Sequence, residues 1–408
     1  MIGLARIGAL LREPDYRRIW GAGVATGICR WLEILAAGVY AFEVTGSPFL
    51  VALLFFLRLT PLVLFGSVIG TVADRWSPKV FLVAGLAIGA VAAAAITLLL
   101  ILGRADYWTV AVAVFASGIV WSMDMPLRRR MLGDVTGAER LVTGLSFDGA
   151  TNNATRAFGP FLGGILYQFF GAAGAFSLTA TLYTIGLVLI LRIGHSSALA
   201  GRVKAATHIF ADFREVFSLV FKDKDILRIL LVTAVFNVFC LPFISMIPVL
   251  GEDTLGLSAG WIGVLAALEG GGALIGALGL TIANPPVGTR RIYFLGVFFY
   301  VVFAFVAGLM TSAVPMAAIV LCVGLSAGAF TATQTPLVYN VAPPHMRSRI
   351  FGVLAICIGI GIVGVANIGL MAEWFGAPVA VRVMAIEGIV AMLAIGIGWR
   401  EMWERGRG

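Results

Sequence analysis

Eight ionisable side chains interrupt the long apolar runs of this chain: Arg30, Glu33, Arg58, Asp124, Asp148, Arg156, Glu269 and Glu387. A charge in hydrocarbon is expensive, so such groups face a cavity or a partner. There they hold a polar ligand or carry a proton. Arg30 and Glu33 stand three residues apart and share one helical face. They can pair with each other, Arg58 can take Glu33 instead, and Glu33 can accept a proton when a ligand leaves. Asp148, Asn152 and Arg156 recur at every fourth residue and so line one face of a helix, the expected wall of a cavity. Asn237, Gln334 and Asn367 are the uncharged candidates of the second half. The competing reading of each charged group is a buried structural ion pair.

Other chemistry is excluded. Gly256-Leu-Ser258-Ala-Gly260 and Gly324-Leu-Ser326-Ala-Gly328 match a nucleophile elbow, and Gly359-Ile-Gly361-Ile-Val-Gly364 matches a dinucleotide fingerprint. None follows a strand, and with 50 glycines such matches arise by chance. His195, His208 and His345 are scattered, without metal-ligand spacing. Cys29, Cys240, Cys322 and Cys357 sit singly in apolar segments, as buried small side chains rather than a disulfide framework. A Gly-Lys-Ser/Thr phosphate loop is missing. The expectation is a non-enzyme with no metal and no cofactor.

The elements that carry these groups follow from composition. Of 408 residues, 60% are hydrophobic and 12% charged, far from the balance of a soluble chain. Spanning helices need about 20 apolar residues each, and the sequence accommodates about twelve. They fall at 17–42, 48–72, 79–102, 107–129, 142–168, 173–193, 226–250, 258–283, 290–311, 313–338, 347–372 and 376–398. The fold class is an all-α integral membrane protein with two six-helix bundles, 1–193 and 226–408. A cytoplasmic connection at 194–225 joins them, and its Phe210, Phe213, Phe217 and Phe221 read as an amphipathic helix on the inner leaflet. All but five of the 29 Lys and Arg fall in the segments assigned to the cytoplasm, the five being Arg30, Arg58, Arg104, Arg156 and Arg382. That bias puts both termini inside. It also explains the net charge of +8 without a nucleic-acid partner.

The two halves echo each other about 210 residues apart: Met125-Pro126-Leu127 to Gly144 answers Thr335-Pro336-Leu337 to Gly352. Between the second and third spans lies Gly70-Thr-Val-Ala-Asp74-Arg75-Trp-Ser77-Pro78-Lys79. This resembles the Gly-x-x-x-Asp-Arg/Lys-x-Gly-Arg-Arg loop of the major facilitator superfamily, with Ser77 or Pro78 in place of the second glycine. Gly159-Pro160-Phe-Leu-Gly163-Gly164 resembles the Gly-Pro-x-x-Gly-Gly element of that superfamily's drug and metabolite exporters. Asn152-Asn153 and Pro343-Pro344-His345-Met346-Arg347 are similar to its enterobactin-exporter-like and macrolide-efflux-like branch.

The resemblance implies a monomeric secondary transporter in a bacterial inner membrane. It would be driven by the proton gradient and would export a small organic molecule, a siderophore-like metabolite or an amphiphilic drug, as one bundle rocks against the other. Uptake or uniport of a metabolite is one alternative, and a non-transporting membrane sensor or scaffold is another. Substrate and proton coupling are expected at Arg30, Glu33, Arg58, Asp124, Asp148, Asn152, Arg156, Glu269, Asn237 and Gln334. Conformational gating is expected at Gly70, Asp74, Arg75, Lys79, Arg128, Arg129, Gly159 and Pro160. In that reading Asp74 latches onto Arg128–Arg130 or onto the start of the eleventh helix; otherwise it is a topology signal.

Overall fold

The computed structural model describes residues 2–73, 77–194, 220–283, 288–343, 346–397 and 399. Asp74, Arg75, Asn284 and nearly all of the predicted amphipathic segment lie outside them. Among the described residues every regular element is helical. In chain order these are α1 (Ile2–Arg12), α2 (Pro14–Thr45), α3 (Pro48–Ala73), α4 (Pro78–Ile101), α5 (Tyr107–Gly137), α6 (140–170) and α7 (172–191). They continue with α8 (Lys224–Thr254), α9 (Ala259–Ala283), α10 (Thr289–Ala307), α11 (Ala313–Val341), α12 (347–375) and α13 (Ala377–Ile397).

Among the described residues, ten stretches are long and apolar enough to cross a bilayer. One of them, Arg140–Leu191, runs 52 residues and breaks at Gly171, whose φ of 63° only glycine adopts readily. The break divides it into α6 and α7. With the apolar Pro48–Leu64 stretch of α3, the segments α2 to α13 match the twelve spans read from hydropathy. The local signals are ordinary ones. Proline opens α2, α3 and α4, where its missing N–H has no intrahelical partner to lose. Asp106 and Thr109 close a capping box on α5.

The chain falls into two compact units. Unit 1 holds Met1–Gly46, Leu54–Val203 and Leu257–Ala267; unit 2 holds Ser47–Leu53, Lys204–Gly256 and Leu268–Gly408. Relative to the expected halves, two short segments change sides, each for a visible reason. Ser47 Oγ donates to Glu373 Oε2 at 2.6 Å and Phe49 N donates to the same oxygen at 3.2 Å, which ties the start of α3 to the end of α12. A Cβ on Gly263 of α9 would lie 2.8 Å from Gly164 Cα of α6, so the two backbones touch through paired glycines.

The core of unit 1 gathers Tyr16, Ile19, Leu82, Leu86, Leu132 and Ile190. On α6, Gly159 and Gly163 bring that helix onto α2: added Cβ atoms would meet Trp31 Cβ at 2.7 Å and Leu32 Cγ at 3.1 Å. In unit 2 the same device sets α9 against α11, with a Cβ on Gly272 reaching Gly324 Cα at 3.0 Å.

Candidate functional site

Among the described residues of unit 1, six charged side chains are no more than 5% exposed: Arg30, Glu33, Arg58, Asp124, Arg128 and Asp148. Three are cationic and three anionic. Helix α2 supplies Arg30 and Glu33, α3 Arg58, α5 Asp124 and Arg128, and α6 Asp148.

They form two clusters. In the first, Arg58 Nη1 donates to Glu33 Oε2 at 2.9 Å, and the hydroxyls of Ser117 and Tyr183 lie near that carboxylate. The Arg30–Glu33 pairing left open by the sequence is therefore not the one formed. A Cβ on Gly118 would press into Pro61 Cγ at 3.0 Å, so α5 can approach α3 closely just where Arg58 reaches Glu33.

The second cluster is a chain of alternating charges. Arg30 Nη2 lies 3.8 Å from Asp124 Oδ2, Arg128 Nε lies 3.4 Å from that same oxygen, and Arg128 Nη1 donates to Asp148 Oδ1. Arg30 Nη1 also donates to Asn152 Oδ1 at 3.3 Å, and its guanidinium stands 5.1 Å from the Trp121 ring centre. Arg156 stands over Trp31 at 5.1 Å. Asp148, Asn152 and Arg156 thus share a face, as their spacing predicts, and they turn it toward α2 and α5.

Arg128, expected to take part in gating, lies inside unit 1 in this structure. It is 1% exposed because Gly23 leaves room for it: a Cβ there would come within 2.6 Å of its Cζ. Its Asp124 partner sits four residues earlier on the same helix, a spacing visible in the sequence. Lys79 is likewise committed locally. Its ammonium donates to Leu191 O at 3.0 Å and Ile193 O at 2.7 Å, closing the C-terminal end of α7, where a cation also meets the helix dipole favourably. Arg129 is exposed, Gly70 falls within α3, and Asp74 and Arg75 lie outside the described residues. Gly159 and Pro160 are buried, Gly159 against α2 as above.

Unit 2 places its candidates in a mostly neutral setting. Asn237 Nδ2 donates to Thr233 O at 2.9 Å, and Gln334 Nε2 reaches Thr233 Oγ1 at 3.4 Å. Thr233 in turn shares a 2.6 Å bond with Tyr293 Oη. Phe330 stacks on Phe236 at 3.9 Å and on Tyr293 at 5.1 Å. Glu269 is 2% exposed on α9, on the stretch that α11 approaches through glycines. Sequence reasoning missed Trp31, Trp121, Ser117, Tyr183, Thr233 and Tyr293. Trp121, three residues before Asp124 on the same face, was the most findable of them.

The serines of the two elbow-like motifs are spent on structure: Ser258 Oγ donates to Gln168 Oε1 at 3.2 Å and Ser326 Oγ to Cys322 O at 2.9 Å.

Comparison with known proteins agrees with this architecture. The profile described as Major Facilitator Superfamily matches residues 19–366. The uncharacterized MFS-type transporter YfiS of Bacillus subtilis is 24% identical over 369 residues, covering 86% of this chain and 85% of that protein. Macrolide efflux protein A of Streptococcus pyogenes is 21% identical over 359 residues, covering 85% and 87%. Among solved structures, the nucleoside transporter NupG aligns with a TM-score of 0.72 at 15% identity, covering 94% of this chain and 99% of that one. A bacterial homologue of the iron transporter ferroportin gives 0.70 at 15% identity, covering 95% and 99%.

Proposed function

The chain belongs to the Major Facilitator Superfamily, and from that premise we propose that it is a proton-coupled exporter of a small organic molecule. One unit would rock against the other to expose the binding site to each side of the membrane in turn. The observation that carries the coupling is the Glu33–Arg58 pair, at 2.9 Å with both groups at most 2% exposed. A proton added to Glu33 leaves Arg58 buried without its counter-charge, an arrangement that costs several kcal/mol and so favours a different packing of the helices around it. Protonation is thereby tied to conformation. The direction rests on the Gly159-Pro160 element and on the likeness to a macrolide efflux protein. Family likeness supplies a prior, and the site must supply the mechanism.

Everted membrane vesicles that hold the protein and are energised to an acidic interior test this reading. Added to such vesicles, a transported compound draws protons out of the lumen, which a pH-sensitive dye reports. Glu33→Gln abolishes that response while the protein still inserts. If Glu33→Gln exchanged protons at the wild-type rate, the coupling assignment would fall. If compounds moved only down their own gradients, the exporter reading would give way to uniport.

A further inference from the structure

We infer that Arg30, with the ring of Trp121 beside it, binds the carboxylate of an organic anion. The inference rests on the transporter reading only in calling that anion the cargo.

The three buried arginines of unit 1 are unequally held. Arg128 carries two carboxylates, Asp148 and Asp124. Arg58 carries Glu33 at 2.9 Å. Arg30 has only Asp124 Oδ2 at 3.8 Å, the oxygen that Arg128 Nε already approaches at 3.4 Å, and a 3.3 Å bond to the neutral Asn152. Its Nε has no acceptor at all. A guanidinium has five N–H donors and no acceptor, and at 5% exposure water does little to satisfy them. Arg30 is the cation of the cluster whose counter-charge is shared and distant.

That unused guanidinium donor calls for an acceptor, and a carboxylate offers two oxygens in a plane that matches a guanidinium fork. Trp121, half-buried beneath Arg30, offers a flat apolar surface for the rest of the ligand. A cation fits poorly. Each of the three buried carboxylates already has an arginine at ion-pair distance, so a cationic ligand must displace one. The acceptor left over in the cluster, Asp148 Oδ2, belongs to a carboxylate whose other oxygen holds Arg128.

The test uses the full-length protein purified in detergent and three probes of one shape: naphthalene-2-carboxylate, its amide and its amidine. Thermal unfolding and tryptophan fluorescence are read at millimolar probe. The carboxylate is expected to raise the melting temperature and to quench fluorescence, the amide to act weakly and the amidine not at all. Arg30→Gln removes the carboxylate effect. Asp124→Asn is the sharper variant, because it frees Arg30 from its competing acceptor while Arg128 keeps Asp148. It should tighten carboxylate binding several-fold, which a merely structural Arg30 would not do. Where Arg30→Gln fails to fold, Asp124→Asn and Arg30→Lys decide the matter. Stabilisation by the amidine equal to that by the carboxylate, no effect of the carboxylate, or weaker binding in Asp124→Asn overturns the inference. Proton exchange in vesicles is read separately, so anion binding can fail while export stands, and the reverse.

Discussion

Replacing the Glu33–Arg58 pair by methionines, singly and together, tests whether this buried pair holds the fold or serves the mechanism. At 2.9 Å and an effective dielectric of 20, Coulomb's law gives an attraction of about 6 kcal/mol. Removing two charges from water costs several kcal/mol per ion, so the intact pair adds little net stability. Breaking it is another matter, since the survivor stays buried without its partner, at a cost of about 3–5 kcal/mol. The structure makes the two single variants unequal. In Arg58→Met, Glu33 can take up a proton and become neutral, with the Ser117 and Tyr183 hydroxyls nearby. In Glu33→Met, Arg58 loses the carboxylate that is its short ion-pair partner, beside an Nε that already has none. Glu33→Met should therefore destabilise more than Arg58→Met. The double variant should lose less than either single, with a coupling energy of about 3 kcal/mol or more from a double-mutant cycle. With a melting shift of about 2–4 °C per kcal/mol for a domain of this size, the single variants are readily separated by thermal unfolding in detergent. The double variant, folded but without an exchangeable proton, should lose proton exchange in vesicles. Additive single effects would refute the argument, and so would a double variant that exchanges protons normally.

Three further outcomes are expected. Gly263→Val places side-chain carbon where Gly164 Cα and Pro160 O lie within 2.8 Å of an added Cβ; it should sharply lower the yield of monodisperse protein in size-exclusion chromatography, whereas Gly271→Ala, with open space around it, should not. Tyr293→Phe removes the 2.6 Å bond to Thr233 and the 3.0 Å bond to Ile229 O, and should destabilise by about 1–3 kcal/mol in thermal unfolding, with unchanged helix content by circular dichroism. At the start of α5, the backbone N–H and the hydroxyl of Thr109 hold the Asp106 carboxyl below its ordinary value of 3.8. Its contribution is fully present above that value and is lost as pH falls through the lower folded-state value. The melting difference between the wild type and Asp106→Asn should therefore be level at neutral pH and shift only in acid, and a difference that varies around neutrality would contradict the assignment.

Hydropathy alone was enough to place the twelve helices, because lipid demands about 20 apolar residues whatever the tertiary contacts. The division into halves was less legible. Ser47 and Gly263 lie in segments whose composition gives no hint that Glu373 and Gly164 hold them. Helical spacing put Asp148, Asn152 and Arg156 on one face. It could not say that the face looks at α2, since that follows from the glycines of α6. Arg128–Arg130 read together from the sequence, as partners for Asp74. The neighbour of Arg128 at the fourth position back, Asp124, and the distant Gly23 jointly bury it, and only the first of those is a local signal. Partner choice among the charges was beyond reach: Arg30, Glu33 and Arg58 admit more than one pairing, and packing selects among them.

The even count of buried charges in unit 1 has an electrical consequence. With Arg30, Arg58 and Arg128 set against Glu33, Asp124 and Asp148, the network carries no net charge. Moving one elementary charge across a membrane potential of 100 mV is worth about 2.3 kcal/mol. A neutral network shifting within that field therefore does almost no electrical work. Under the proposed proton exchange, any dependence of the turnover on voltage then reports the cargo and the accompanying proton rather than this network. A carboxylate bound at Arg30 would make that step sensitive to voltage, and an added proton would cancel it.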